Sequence, residues 1–495
     1  MSAMMMTLQQ TRQWIPLGQL LGDGGTTIQR VHTDTRTIEP GDLFVALKGD
    51  RFDGDDFLAE ARARGAVAAL CHSADKLKAS GLPGLVVPDA KQALGAMAAG
   101  WRAQFQLPLI AVTGSNGKTT VTQMIASILR AWQPHAMLAT QGNFNNDIGV
   151  PLTLLRLREN HKVAVVEMGM NHPGEITLLA AMARPGVALV NNAQREHLEF
   201  MSTVDAVARE NGSVIDALAP NGVAVFPHGD SFASMWHGLA GQRPQLTFSM
   251  MADEGRIGEV DDEAAADITC TKPSWAQGAW HVRADTPAGA LLFQLQVAGL
   301  HNVKNALAAI ACALAAGVPL EPIARGLALF EPVKGRSRAL SGVLGGRAYT
   351  LVDDTYNANP DSVRAAIDVL AGLPGPRLLV LGDMGEVGDE GPQFHAEAGG
   401  YARALGIDTL LTLGDLCATA STHFGVGQHF SSMDALQEAV LNALPRHSSV
   451  LVKGSRFMKM ERVVEAISAY AQQQGRVSAA ESHVNANAGD VTHAA

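Results

Sequence analysis

The sequence predicts an α/β protein of three successive domains. At about 150 residues per domain, 495 residues leave room for three hydrophobic cores. Short apolar runs of strand length alternate with helix-period patterns along most of the chain. Between one such strand and one such helix, near residue 115, lies a glycine-containing turn of phosphate-binding type.

In the first domain, expected over 15–106, apolar runs at 43–47, 66–70 and 85–87 alternate with helical patterns at 56–64 and 91–105. The second, expected over 107–332, opens after Pro108 with the strand 109–113. A helix follows, with Val121, Met124, Ile125, Ile128 and Leu129 on one face. Further buried-type strands at 163–167, 187–190 and 223–226 read as a parallel sheet covered by helices. The region 250–289 is acidic and irregular, then more strand-like, and a helix at 302–316 closes the domain with Val303, Leu307, Ile310 and Leu314 aligned. A linker at 330–335 leads to a third α/β pattern, expected over 333–471. Its strands at 350–354, 378–382, 409–414 and 449–453 end in Gly, Asp or Lys, where open sheets place ligands. The polar, small-residue stretch 472–495 is expected to be disordered.

Lys plus Arg total 38 against 48 Asp plus Glu, a net charge of −10, which leaves no broad basic field for a nucleic acid or an anionic membrane. Any anion must be bound locally. Cys71, Cys270, Cys312 and Cys417 form no C-x-x-C pair, as suits a reducing compartment. The first fourteen residues lack a basic region followed by an apolar core, so a cytoplasmic protein is expected. The longest apolar stretch, 306–318, falls short of the ~20 residues of a membrane helix, and no membrane insertion is expected.

Gly114, Ser115, Asn116, Gly117, Lys118, Thr119 and Thr120 follow the strand ending at Thr113. There, successive N–H groups and a helix N-terminus can wrap phosphate oxygens, with Lys118 reaching the β/γ-phosphates and the Thr119 hydroxyl holding Mg²⁺. Val112 stands at the first glycine position, so this is a shortened variant of the usual spacing. The bland alternative is an ordinary turn with a surface lysine. Glu167 ends one strand and His197 follows another, both on the expected carboxyl edge of the sheet, where a metal bridging nucleotide phosphates finds ligands. Each alone could be a solvated surface group. Arg336 and Arg338, just past the linker, could neutralise a transferring phosphoryl group when domains close, or be solvated linker arginines. The run 353–360 is dense in turn-stabilising side chains.

Together these pieces resemble the Mur ligase family, ATP-dependent amide-forming enzymes of peptidoglycan precursor synthesis. The resemblance runs from Thr33 to Glu461 and is carried by the segments 141–151, 353–361, 381–386 and 453–456. It implies a UDP-sugar-binding first domain, a central ATPase of P-loop type with a parallel sheet, and a Rossmann-like third domain. ATP and Mg²⁺ are the implied cofactors. Lys118, Glu167, His197 and Arg336 take the implied catalytic positions. Asn302 and Asp354 join 114–120 and Arg336 around the nucleotide, Asn302 at the adenine and Asp354 on its ribose or phosphate side. Thr35, Arg36, Lys48 and Gly49 correspond to the uridine region, and Asn145, Asn146, Tyr356, Asn357 and Asn359 to the acceptor or dipeptide pocket.

Two departures stand out. Asp55 occupies a position where the family usually has histidine. Many members also place a carbamylated lysine in the central domain, yet no lysine occurs here between Lys162 and Lys272. Glu210 is therefore expected to supply the missing metal ligand, beside Thr119, Glu167 and His197. Within the family, the segments resemble the branch that joins D-alanyl-D-alanine to UDP-N-acetylmuramoyl-tripeptide, and a monomer is expected. The alternatives are a ligase adding diaminopimelate or lysine, a folylpolyglutamate-type ligase, or a nucleotide-gated binding protein. Whether the acceptor's third residue is diaminopimelate or lysine is not legible.

Overall fold

The structure is a computed structural model that describes residues 4–250, 266–276, 279–344 and 346–488. It is a mixed α/β protein with three separate, mostly parallel sheets, as the alternating patterns predict. The first has the order Gln19–Leu21, Gly84–Val86, Ala68–Cys71, Asp42–Val45, Arg30–His32, parallel except for its antiparallel edge pair. The folded chain begins ahead of residue 15. Met6–Thr7 pairs with Thr27–Ile28, the Thr7 side chain caps the helix Leu8–Trp14, and Met6 and Leu8 are fully buried.

The central sheet has nine strands. Leu109–Thr113 is an interior strand, third from one edge, hydrogen-bonded on one side to Val163–Glu167 and on the other to Val187–Val190, all parallel. The chain leaves this strand where the strand order reverses direction, the crevice in which open α/β sheets bind ligands. Every residue of these three strands is buried, because helices cover both faces. Lys118–Trp132 packs one face and buries Val121, Met124, Ile125, Ile128 and Leu129, the stripe read from the sequence. The irregular region 250–289 resolves into strands Ile268–Ala276 and Ala279–Thr286, which with Gly289–Leu295 extend the sheet as antiparallel hairpins. Part of that expectation, 251–265 and 277–278, lies outside the described residues.

The third sheet runs Arg338–Leu344, Arg347–Asp354, Ser449–Lys453, Arg377–Gly382, Thr409–Leu413, Gln428–Phe430, with only its first pair antiparallel. Its two apolar faces are covered separately, one around Val363 and Ile367, the other around Val440 and Val463. The last helix is Glu461–Ala488. Residues 489–495 lie outside the described residues.

Candidate active site

The turn after Thr113 is shaped by two glycines with positive φ, Gly114 at 129° and Gly117 at 80°. At Gly117 a Cβ would stand 2.6 Å from Asn305 Oδ1 and 2.7 Å from Asn191 Nδ2, so only glycine fits. The turn is held by asparagines. Asn116 N–H donates to Asn192 Oδ1 (2.8 Å), while Asn191 and Asn192 donate to the Asn116 carbonyl. Lys118, the first residue of its helix, turns its ammonium back into the loop, donating to the carbonyls of Gly114 (2.6 Å) and Ser115 (3.0 Å) and to Glu196 Oε1 (2.7 Å).

Glu167 ends its strand almost completely buried. Its Oε1 accepts from the Thr119 hydroxyl (3.1 Å) and Asn145 Nδ2 (2.8 Å), while its buried Oε2 has no hydrogen-bond partner. A bare carboxylate oxygen beside a threonine hydroxyl suits a hard divalent cation, so Thr119 and Glu167 fit the metal role the sequence assigned them. His197 faces the same cavity but lies between two carboxylates, Glu196 Oε1 at 3.4 Å and Glu386 Oε2 at 2.5 Å. Burial alone would lower its pKa, but the flanking carboxylates outweigh this and raise it to about 9. Burial likewise opposes ionisation of Glu196, and the Lys118 ammonium prevails and lowers its pKa.

The third domain completes the cavity, whose volume is about 510 Å³. Arg336 Nη2 donates to the Thr119 hydroxyl (3.2 Å), and its guanidinium lies 3.9 Å from the centre of the Tyr356 ring. Asn359 caps the helix Pro360–Ala371 and also exchanges side-chain hydrogen bonds with Asn116 across the domain boundary (3.0 and 3.3 Å). Asp354 accepts from Lys453 Nζ (2.7 Å) and from the Ser337 N–H (2.9 Å). Burial disfavours its charge, yet Lys453 holds its pKa below the ordinary carboxylate value.

From the sequence expectations the cavity gathers Ser115 to Thr120, Asn145, Asn146, Glu167, His197, Asn302, Arg336, Asp354, Tyr356, Asn357 and Asn359. The Asn302 amide is engaged with the Ala298 carbonyl and with Asn305. Gly114 stands back from the cavity, its N–H donated to Asn211 Oδ1. Thr35, Arg36, Lys48 and Gly49 are not at this cavity. They follow the adjacent parallel strands Arg30–His32 and Asp42–Val45 at the carboxyl edge of the first sheet, where Arg36 pairs with Asp34. Asp55 is buried there, accepting from the N–H groups of His72 and Ser73.

Glu210, expected at the metal, is engaged elsewhere in this structure. Its two carboxylate oxygens accept from the N–H groups of Gly174 and Ile176 (both 2.8 Å), which caps the helix Glu175–Ala183, and it does not line the cavity. The neighbouring Asn211 points to the loop instead, accepting from the Thr113 hydroxyl (2.7 Å). One residue along a helix turns the side chain by about 100°, a difference that segment-level matching misses. Glu196 and Gln194 were also missed. The proximity of Glu196 to His197 in sequence was the available signal, but spacing in a loop does not show which side chain faces inward.

Three segments match Mur ligase descriptions: residues 27–102 the "Mur ligase family, catalytic domain", 112–313 the "Mur ligase middle domain", and 335–456 the "Mur ligase, glutamate ligase domain". UDP-N-acetylmuramoyl-tripeptide–D-alanyl-D-alanine ligase of Escherichia coli (strain K12) is 40% identical over 452 residues, covering 91% of this chain and 96% of the relative. The chain belongs to the Mur ligase family. The Haemophilus influenzae protein of the same name is 38% identical, covering 90% of this chain and 95% of its own. A crystal structure of MurF from Acinetobacter baumannii superposes with a TM-score of 0.84 at 36% identity, covering 93% of this chain and 98% of that one. As a Mur ligase the chain is an ATP-dependent, amide-forming enzyme.

Proposed function

We propose that this chain joins D-alanyl-D-alanine to UDP-N-acetylmuramoyl-tripeptide, giving UDP-N-acetylmuramoyl-pentapeptide, ADP and phosphate. Relatives bearing that activity in their names support the substrate assignment. One observation carries the mechanism: Lys118 and Thr119 of the central loop and Arg336 and Tyr356 from beyond the linker face a single cavity.

A peptide carboxylate is a poor electrophile. In the first step it attacks the ATP γ-phosphorus, ADP leaves, and an acyl phosphate forms. The Lys118 ammonium and the Arg336 guanidinium lie where negative charge builds on the transferring group, and they stabilise it without reorganising solvent. A bound Mg²⁺ would supply Lewis-acid neutralisation of the phosphate oxygens, and Thr119 with Glu167 would hold it; His197, charged between Glu196 and Glu386, would have to lose its proton to join them. In the second step the free amine of D-alanyl-D-alanine attacks the acyl carbon, the tetrahedral intermediate expels phosphate, and the amide remains. Asn145, Asn146, Asn357 and Asn359 offer uncharged donors and acceptors to orient the acceptor and the dipeptide. The UDP-sugar end belongs at the carboxyl edge of the first sheet, at Thr35, Arg36, Lys48 and Gly49, and Asn302 and Asp354 on the nucleotide side of the cavity.

No helix among the described residues is long and apolar enough to cross a membrane, and all four cysteines are buried, with no disulfide among the described residues. Unpaired thiols suit a reducing compartment, and the reaction is assigned to the cytoplasm. The test is phosphate release from ATP with Mg²⁺, UDP-N-acetylmuramoyl-tripeptide and D-alanyl-D-alanine, omitting each component in turn. Release that requires all of them, with a pentapeptide product by mass, is the expected result. Splitting of ATP with a different amine overturns the substrate assignment. Comparing diaminopimelate- and lysine-containing tripeptides identifies the acceptor.

A further inference from the structure

Arg195 binds two carboxylates across the domain boundary. It sits in the loop between Val187–Val190 and Leu198–Met201, and its guanidinium points away from the nucleotide loop into the third domain. Nη2 donates to Asp361 Oδ1 (2.8 Å) and Nε to both Asp361 oxygens (3.3 and 3.2 Å), while the backbone N–H donates to Asp361 Oδ2 (2.9 Å). Nη1 donates to Glu397 Oε2 (3.0 Å), and the guanidinium carbon lies 5.1 Å from the centre of the Phe394 ring. One side chain thus grips two third-domain helices, Pro360–Ala371 and Gly391–Ala404. Its planar fork matches a carboxylate in a way no ammonium can.

The placement of the loop matters. Glu196, next in sequence, pairs with Lys118, and His197 pairs with Glu386 of the third domain. The same short loop therefore touches the nucleotide lysine on one side and the third domain on the other.

The geometry points to Arg195 as a positioning residue, a clasp that holds the third domain against the ATPase domain while the acyl phosphate awaits the amine. It rests on the ligase reading above. Arg195 touches no reacting atom. Its contribution is to keep the domains docked, so that Arg336 and Asn359 stay over the loop and water stays out. An undocked site lets water attack the acyl phosphate, returning carboxylate plus phosphate, and ATP is spent without an amide.

The experiment compares wild type with Arg195→Gln, Arg195→Lys and Glu397→Gln, the last lying off the cavity. Phosphate and pentapeptide are measured in the same reaction, and the radius of gyration is measured by small-angle X-ray scattering. Wild type is expected to release one phosphate per amide. Arg195→Gln is expected to lose roughly tenfold in kcat for amide formation, the weight of one charge-assisted pair, to release excess phosphate per amide, and to be more extended. Arg195→Lys should fall between, and Glu397→Gln should shift in the same direction by less. Combined with Arg195→Gln, Glu397→Gln should add nothing further, because the two act through one contact. An unchanged phosphate-to-amide ratio and radius in folded Arg195→Gln overturns the clasp. If that variant does not fold, the same two measures unchanged in Glu397→Gln overturn it. If the wild type forms no amide from these substrates, the functional reading fails, and the scattering comparison alone still decides the clasp.

Discussion

Lys118 Nζ lies 2.7 Å from Glu196 Oε1, so the lysine assigned to phosphate oxygens has an anionic competitor within its own site. Both side chains are mostly buried, and the second Glu196 oxygen has no partner. A nucleotide must draw Lys118 from this carboxylate and tolerate its charge nearby. Glu196→Gln is expected to tighten ATP binding by about three- to tenfold, less than one full charge-assisted pair. Calorimetric titration with a non-hydrolysable ATP analogue checks it, and weaker binding would show that Glu196 assists the nucleotide.

Removal of the lysine itself acts on chemistry. Lys118→Ala is expected to lower phosphate release by roughly 10²–10³-fold, the usual cost of one donor aimed at developing charge. UDP-sugar affinity should be kept, since that region lies on another sheet. Near-normal turnover would remove Lys118 from the mechanism.

Gly117→Ala forces a side chain into a left-handed backbone at φ 80° and against Asn305 and Asn191. The backbone cost alone is about 1–2 kcal/mol. A lower unfolding temperature together with weakened ATP binding is expected in thermal-shift titrations, whereas an unperturbed variant would mean the loop relaxes freely.

Glu210→Ala should behave as a lost helix cap. The expected outcome is destabilisation of about 1 kcal/mol by denaturant unfolding, with the Mg²⁺ dependence of turnover unchanged. A shifted Mg²⁺ requirement would return Glu210 to the metal.

The Asp354–Lys453 pair carries a pH dependence. Lys453 depresses the Asp354 pKa, so the stability it contributes is present above the ordinary aspartate value of about 3.9 and is lost as pH falls through the lower folded-state value. Asp354→Asn leaves Lys453 buried without its counter-charge and is expected to cost about 3 kcal/mol at pH 7. Below about pH 4 the difference from wild type should shrink. A constant difference across that range, by denaturant unfolding at each pH, would contradict it.

The fold and the nucleotide loop were legible because their signals are local. Strand runs such as 109–113 and 163–167, and the stripe from Val121 to Leu129, are periodic patterns that burial imposes directly on sequence. Gly117 and Lys118 were legible for a related reason: the strand, turn and helix of a phosphate-binding type of motif are contiguous in the chain.

By itself, the sequence determined the α/β class, the strand–turn–helix around Gly117 and the family. Only the tertiary structure decided which side chains meet. It turned Glu210 toward a helix N-terminus and Asn211 toward the loop, paired Lys118 with Glu196, and set Arg195 against Asp361. Periodicity records which face of an element is buried. A contact between residues far apart in the chain depends on rotations and crossovers that leave no period behind, and in this molecule such contacts build the site.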